Sequence, residues 1–281
     1  MPTPFIKFPG GKGYLADTIL SHFPKKFKTY FEPMVGGGAI FFELAHRSKI
    51  DRSKMKKAWI ADINNNLINI YEQLRDHLPE VVRYLRALRK KHNQTQGGVK
   101  ELYYAVRKRV NRTEDAIEKA AGLIYLSKTC FNGLFRFNQS GKFNAPVGDQ
   151  KNPKICDETN LMKVSNALQK VQLSCCSYER LRTNITKGDL VYLDPPYWPI
   201  RETSFTSYSA SKFTKDDHEK LAQYFAEWGA RGAYLVLSNS DTPEVRKLYK
   251  KFNIISVEAP RRINSNGHGR GLVKEILVKN F

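Results

Sequence analysis

Two stretches of this chain, 29–75 and 170–281, repeat one pattern: a short apolar run, a turn, then apolar residues at helical spacing. The runs Thr29-Tyr30-Phe31-Glu32, Ala58-Trp59-Ile60-Ala61, Leu190-Val191-Tyr192-Leu193 and Ala233-Tyr234-Leu235-Val236-Leu237 are too short for helices. They are rich in aromatic and β-branched residues, which reads as buried strand. Between them, Leu67, Ile70, Tyr71 and Leu74 mark one helical face. Leu221, Phe225 and Trp228 mark another, after a capping-type Thr214-Lys215-Asp216-Asp217. Strand and helix in alternation restrict the chain to an α/β fold, a mostly parallel sheet wrapped by helices. With 281 residues, 41% of them hydrophobic, there is material for one large domain or two smaller ones.

The middle of the chain breaks the pattern. Helical, very basic stretches carry Arg83, Arg86, Arg89, Lys90 and Lys91, then Lys100, Arg107, Lys108, Arg109 and Arg112. A Gly/Asn/Pro-punctuated loop follows from Phe131 to Pro153, and Gln94-Thr95-Gln96-Gly97-Gly98 reads as a turn between helices. The expected organisation is a sheet domain formed by 1–75 and 166–281, with 76–165 inserted as a second, mainly helical domain. The whole chain carries 47 Lys plus Arg against 27 Asp plus Glu, a net charge of +20. Such a charge attracts polyanions, nucleic acid first among them, although a ribosomal or membrane-surface protein is also cationic. A solvated helix face accounts for part of the charge in 83–112. No apolar run approaches the roughly 20 residues of a membrane helix, and Met1-Pro2-Thr3-Pro4-Phe5 lacks the pattern of a secretory signal. Cys130, Cys156, Cys175 and Cys176 lack metal-type spacing and read as reduced thiols; no metal is expected. His22 and His218 read as helix-surface residues rather than acids or bases.

Phe31-Glu32-Pro33-Met34-Val35-Gly36-Gly37-Gly38-Ala39-Ile40 places an acidic residue at a strand end, then three glycines, then a helix. Glycines there let a ligand approach the backbone. Trp59-Ile60-Ala61-Asp62 ends the next strand on a carboxylate suited to ribose hydroxyls. The pattern is not the dinucleotide G-x-G-x-x-G, and a tight turn without a ligand is the alternative. Phe5-Ile6-Lys7-Phe8-Pro9-Gly10-Gly11-Lys12 has the look of a phosphate loop, but Gly13 follows the lysine where Ser or Thr is required.

The most specific motif is Leu193-Asp194-Pro195-Pro196-Tyr197, directly after an apolar strand. Two prolines hold a rigid extended turn without N–H groups, at the carboxyl edge where α/β sheets bind ligands. A carboxylate and a carbonyl side by side can accept both N–H groups of a planar amine. That favours a more pyramidal nitrogen and the positive charge it develops on attack. Tyr197 offers a face on which a base can stack. An ordinary turn is the competing account of the motif.

Together these residues resemble the Dam-type (α-class) DNA adenine-N6 methyltransferases over nearly the whole chain. The shared elements are Phe5 to Lys12, Phe31-Glu32-Pro33 with the glycines, Ala61-Asp62-Ile63-Asn64, Phe131-Asn132-Gly133-Leu134-Phe135-Arg136 and Lys142-Phe143-Asn144-Ala145-Pro146. Asp194 to Tyr197, Phe205-Thr206-Ser207-Tyr208 and Leu237-Ser238-Asn239-Ser240 complete the set. The resemblance implies a Rossmann-like, seven-stranded methyltransferase sheet with an inserted DNA-recognition domain. It implies S-adenosylmethionine as cofactor, S-adenosylhomocysteine as product and duplex DNA, within GATC, as substrate. Phe8, Lys12, Glu32, Pro33, Gly36, Gly37, Gly38, Asp62, Ile63, Tyr178 and Asp194 would form the cofactor site. Within it Asp62 would take the ribose hydroxyls, Ile63 and Tyr178 would sandwich the adenine ring, and Glu32 would support the glycine turn. Asp194, Pro195, Pro196 and Tyr197 would be catalytic. Arg136 would contact a guanine bidentately, Leu134 and Pro146 would meet thymine, and Asn132 would add a polar contact. Phe131 would wedge beside the flipped adenine and Lys7 would touch the outer guanine. Arg261, Arg262 and Asn264 to Arg270 would form a DNA-facing loop between the last two strands.

The chain departs from the family at Phe8 and Pro9, where Trp and Ala are usual, and at Gly148-Asp149-Gln150, where Gly-Arg-Tyr is common. Cytosine-N4 methylation and a catalytically silent DNA-binding relative are the rival readings; Asp194 rather than Ser at the head of the motif favours adenine. The expected setting is the cytoplasm, with the protein on the nucleoid and no obligate protein partner.

Overall fold

The computed structural model describes residues 1–8, 10–50, 57–95, 98–199, 213–260 and 272–281. The motif Phe205-Thr206-Ser207-Tyr208, the loop Arg261 to Arg270, and Gln96 and Gly97 of the expected turn lie outside these residues. Seven strands are β1 (Thr29–Glu32), β2 (Lys57–Asp62), β3 (Val171–Cys175), β4 (Leu190–Leu193), β5 (Tyr234–Ser240), β6 (Asn253–Pro260) and β7 (Leu272–Lys279). They form one sheet in the order β3-β2-β1-β4-β5-β7-β6. The first five run parallel, and β7 is antiparallel to both neighbours. The order reverses between β1 and β4, which opens a crevice beyond their carboxyl ends, the usual ligand position in such sheets. This is the mostly parallel sheet that the strand–helix alternation predicts, in the seven-stranded Rossmann-like form that the family resemblance implies.

The helices are α1 (Ala16–Ser21), α2 (Ala39–Ile50), α3 (Asn65–Asp76), α4 (Leu78–Gln94), α5 (Val99–Val110), α6 (Ala116–Thr129), α7 (Glu158–Leu168), α8 (Lys215–Ala230) and α9 (Pro243–Leu248). Side-chain caps fix several starts. Asn64 accepts from the Leu67 amide, and Asp115 accepts from the amides of Ile117 and Glu118. Thr214 and Asp217 close the capping box that the sequence suggests for α8.

Both faces of the sheet are buried, as a parallel sheet requires. On one face Tyr30, Ile60, Leu190, Tyr192, Val236 and Leu277 join a large core. That core also takes Leu67, Ile70, Tyr71 and Leu74 of α3, Leu85 of α4, Tyr103 of α5, and Leu123, Ile124 and Leu126 of α6. On the other face Phe31, Val191, Leu193, Leu235, Leu237 and Ile276 pack under Leu221, Phe225 and Trp228 of α8. Helices α4 to α6 thus share one core with the sheet, and the expected boundary at 165 falls inside α7 rather than between elements.

His218 corrects one expectation. It is buried, not on the helix surface, with its ring 5.1 Å from Trp198 and 4.7 Å from Phe213. Its place in the series 218, 221, 225, 228 puts it on the apolar face of α8. Burial lowers its pKa from the ordinary imidazole value to about 4. His22 is the residue following α1 and is partly exposed.

Candidate active site

Alternation along the strands sets a row of polar groups on one face of the sheet, at its carboxyl edge. Ala58 and Ile60 of β2 face the larger core, so Asp62 does too. The same parity applies to Glu32 after Tyr30, Asp194 after Tyr192, Ser238 after Val236, and Glu275 beside Leu277. In spatial order the row runs from β2 through β1, β4 and β5 to β7. Glu32 ends β1, Asp62 ends β2 and Asp194 directly follows β4.

Asp194 is the centre of the row. The Lys12 ammonium lies 3.1 Å from its Oδ1 and the Ser238 hydroxyl donates to the same oxygen at 2.6 Å. Neither bond uses Oδ2. Ser238 also shares a hydrogen bond with the Tyr192 hydroxyl at 3.0 Å. Burial raises the Asp194 pKa; the Lys12 charge and the Ser238 bond oppose that, while Glu275 adds to it. Lys12 is itself buried, donates to the Gly10 carbonyl at 2.8 Å and stands 4.3 Å from the centre of the Tyr197 ring. Beyond Tyr197, the Trp198 amide donates to Asn239 at 3.0 Å, and the Ser240 hydroxyl donates to the Trp198 carbonyl at 2.8 Å. The proline turn is thereby pinned on both sides to β5.

Across the switch point lies the glycine turn. The Val35 amide donates to the Ala61 carbonyl at 3.0 Å and the Gly36 amide donates to Asp62 Oδ2 at 3.1 Å. Asp62 Oδ1 accepts from the Asn64 amide at 2.9 Å. Burial raises the Asp62 pKa, and the amides of Asn64, Gly36 and Ile63 oppose it. Gly38 sits at φ +70°, and a Cβ there would come 2.6 Å from the Tyr71 hydroxyl and 2.9 Å from the Phe42 ring. Only glycine fits, because Tyr71 reaches over the turn to donate to the Gly36 carbonyl at 2.9 Å. The Phe8 ring lies against the turn, 3.1 Å from where a Cβ on Gly36 would be. Glu32 is 2% exposed, accepts from the Tyr30 hydroxyl at 2.7 Å and from the Phe41 amide in the first turn of α2. Burial pushes its carboxyl up to about 8; nearby Asp194 adds to the rise, and the two hydrogen bonds oppose it. Pro33 is buried between strand and turn. Ile63 is exposed at the tip of β2, beside Cys175 at the end of β3. Tyr178 follows β3 but is mostly buried, its ring against Tyr224 and Phe213 and its hydroxyl 3.5 Å from the Asp217 carbonyl.

The 131–146 segment is a compact element. The Phe131 amide donates to the Pro146 carbonyl at 2.9 Å, Phe137 bridges Phe143, and Asn138 and Lys142 close the tip. Phe135, Phe137 and Phe143 form an aromatic knot, and Phe8 touches Phe135 with ring centres 6.0 Å apart. From α5, Tyr103 and Arg107 donate to the Ala145 carbonyl at 2.9 and 3.1 Å, and just beyond it Asn111 pairs with the Phe143 backbone. The polar and wedge candidates are brought together and left outward: Phe131 is 50% exposed, and Asn132 and Pro146 are exposed. Gly133, at φ +68°, gives the Lys7 side chain room to lie against the loop; a Cβ there would run into it. Leu134 is half-buried. Arg136 Nε donates to the Asn144 side chain at 2.9 Å.

Of the basic helices, part of the charge is spent internally. Arg86 forms a two-bond ion pair with Glu158, Arg89 donates to the Cys156 carbonyl at 3.3 Å, and Arg109 pairs with Glu118 at 2.9 Å. Sequence reasoning assigned no role to Tyr14, Tyr30, Tyr71, Asn144 or Glu275. The one available signal was Glu275 as the one acid, beside Lys274, in the strand-like run from Leu272 to Val278.

The profile of the D12 class N6 adenine-specific DNA methyltransferases matches residues 8–263. The chain belongs to this family. It is 39% identical over 290 aligned positions to "Type II methyltransferase M.MjaIII" of Methanocaldococcus jannaschii, covering 99% of each chain. It is 37% identical to "Type II methyltransferase M1.LlaDCHI" of Lactococcus lactis subsp. cremoris, covering 99% of this chain and 95% of that one. A third relative, "DNA adenine methylase" of Escherichia coli K12, is 32% identical, with 98% and 94% covered. As a D12-class member the protein is an adenine-specific DNA methyltransferase, and the glycine turn and Asp194 to Tyr197 motif fall within the matched residues. Among the described residues no helix is long and apolar enough to cross a membrane.

Proposed function

We propose that this D12-class enzyme transfers the methyl group of S-adenosylmethionine to N6 of the adenine in duplex GATC. The observation that carries the reading is the Asp194 carboxylate at the switch point. One oxygen is engaged by Lys12 and Ser238, and among the described residues no hydrogen bond uses the other, which would receive an incoming amine. The residues facing it across the crevice fit the cofactor. Asp62 is a fixed, partly exposed acceptor for ribose hydroxyls, Ile63 is an exposed apolar face beside it, and the glycine turn admits close approach. Tyr178 would add the other face of that slot through its limited exposed edge. When bound, the sulfonium cofactor supplies an electrophilic methyl group.

The chain's own residues do the rest. Asp194 Oδ2 and the Pro195 carbonyl accept the two N–H groups of the adenine amine, directing its lone pair outward as positive charge builds on nitrogen. The Lys12 ammonium opposes protonation of Asp194, which burial alone would favour. Tyr197 gives the extruded base a stacking surface, and Pro196 keeps the turn rigid. The amine nitrogen would accept the methyl group that the bound cofactor supplies, and the proton it sheds would pass by way of the Asp194 carboxylate, which accepts its N–H, to solvent. Residues 76–165 act as the recognition unit. Arg136, held at Nε and Nη2 by Asn144, has its outer Nη1–Nη2 edge to offer a guanine. Phe131 wedges into the stack, and Leu134 and Pro146 meet thymine. Asn132 adds a polar contact, and Lys7 reaches the outer guanine alongside Gly133.

The test is modification-sensitive sequencing of DNA from cells expressing the protein. Methylated adenine at GATC is expected; methylation confined to another sequence, or to cytosine, refutes the assignment. In vitro, Asp194→Ala should abolish transfer and keep duplex binding; a variant that still turns over would remove Asp194 from the reaction.

A further inference from the structure

Glu275 lies on β7, opposite Ser240 of β5, and is 6% exposed. Both of its oxygens are taken by phenols: Tyr14 donates to Oε1 at 2.5 Å and Tyr197 donates to Oε2 at 2.6 Å. The two tyrosines come from segments far apart in the sequence. Tyr14 ends the short 3-10 turn Lys12–Tyr14, which also carries the Asp194 partner, while Tyr197 ends the proline turn. Lys12 closes the circuit, 4.3 Å from the Tyr197 ring and 3.1 Å from Asp194. A buried carboxylate costs free energy that an apolar side chain of similar volume would not. Its negative charge also works against the ionised Asp194. Packing alone therefore does not account for an acid here. A stacking ring has to hold its place: a phenol tied at the far end from Cβ cannot swing away, and the Lys12 ammonium over one face opposes rotation about the ring's own axis.

We propose that Glu275 is a positioning residue for methyl transfer: by gripping Tyr197 and Tyr14 together it fixes the place of the stacking ring and holds the Lys12 turn, whose ammonium lies over that ring, against Asp194. This rests on the reading of Tyr197 as the surface that receives the extruded base. Glutamine at 275 keeps shape but offers one acceptor oxygen and one amide donor, so it cannot receive both phenols in the same way. A base on a loosened ring is extruded but poorly aligned, and misplacement by about 1 Å can cost about a hundredfold in rate.

The experiment compares wild type, Glu275→Gln, Tyr197→Phe and the double variant in single-turnover transfer to a GATC duplex. Melting temperature, cofactor affinity, and emission of 2-aminopurine placed at the target adenine are recorded alongside. Glu275→Gln is expected to lower the single-turnover rate by about tenfold or more. Its melting temperature and cofactor affinity should stay near wild type, and 2-aminopurine emission should rise as the extruded base loses its fixed stacking partner. Tyr197→Phe, which keeps the ring and loses the tether, should reproduce these changes, with the double variant little worse than either single one. Wild-type rates in Glu275→Gln, a defect confined to cofactor affinity, or fully additive losses would overturn the proposal. If Glu275→Gln does not fold, an unchanged rate and emission in Tyr197→Phe would overturn it alone. Failure of wild type to methylate adenine in GATC would instead count against the parent reading.

Discussion

Glu32 makes the stability of this enzyme fall as pH rises through neutrality. Its carboxyl is 2% exposed and pushed up to about 8 from its ordinary 4.5. Folded protein therefore holds a proton at Glu32 across that interval while the unfolded chain has released it. Stability from this group is complete below about pH 4.5, declines as pH rises, and stops declining above about 8. At 1.36 kcal/mol per tenfold change in proton binding, the loss between about pH 5.5 and about pH 8.5 is about 3 kcal/mol. Glu32→Gln removes the ionisation and keeps the shape. It offers one acceptor oxygen in place of two, so the Tyr30 and Phe41 donors must share that oxygen or one bond is lost. That costs about 1 kcal/mol at every pH. The assay is urea unfolding of both proteins at the two pH values, because other titrating groups cancel in the difference. The variant should be slightly less stable at the lower pH and more stable by about 2 kcal/mol at the higher. A wild-type-minus-variant difference that stays constant with pH would mean that Glu32 is ionised throughout, and the burial argument would be wrong.

Gly38→Ala combines a left-handed backbone with a clash against Tyr71, so a cost of about 2–4 kcal/mol is expected by thermal or urea unfolding. The cost should shrink in a Tyr71→Phe background. His218, with its pKa lowered to about 4, has the opposite sign to Glu32. Its contribution is complete above about pH 6.5 and is lost as pH falls toward 4, a change of about 3 kcal/mol that His218→Leu should abolish in an acid-unfolding series. Arg136→Ala should relax discrimination at one guanine by about 1–3 kcal/mol in competition between substituted duplexes; equal loss on all sequences would make it a phosphate contact.

Much of the fold was legible because it is periodic. The short runs at 29–32, 58–61, 190–193 and 233–237 are the cores of β1, β2, β4 and β5, and the Thr214 cap begins α8 as its sequence suggests. The site was legible where motif and local geometry coincide, as in the glycine turn and the proline turn. What escaped depends on strands meeting across long separations. The Glu275 bond to Tyr14 joins residues 261 apart, and nothing local to either reveals the register that brings β7 beside β5. His218 was misread for a different reason. Its type suggested surface, whereas its spacing from Leu221, Phe225 and Trp228 had already placed it on the buried stripe.

The basic helices show why net charge locates a DNA surface less sharply than it suggests one. Of the cations in 83–112, Arg86 and Arg89 bind the segment leading into α7, Arg107 holds the Ala145 carbonyl, and Arg109 ties α5 to α6 through Glu118. Those side chains build the frame on which the 131–146 element rests. Two of them hold carbonyl oxygens, a use in which a guanidinium's several fixed donors matter more than its charge. Exposed Arg83, Lys90, Lys91, Lys100, Lys108 and Arg112 have no such duty among the ion pairs of the described residues, and under the proposed function these would be the ones to meet phosphate. Charge supplies attraction along the duplex, but under the proposed function it is the 131–146 element, held by Arg107, that would present Phe131, Asn132 and Pro146 to the bases. Removing an exposed lysine should therefore flatten the salt dependence of binding without changing site preference, whereas removing Arg107 should disturb preference through the loop it supports.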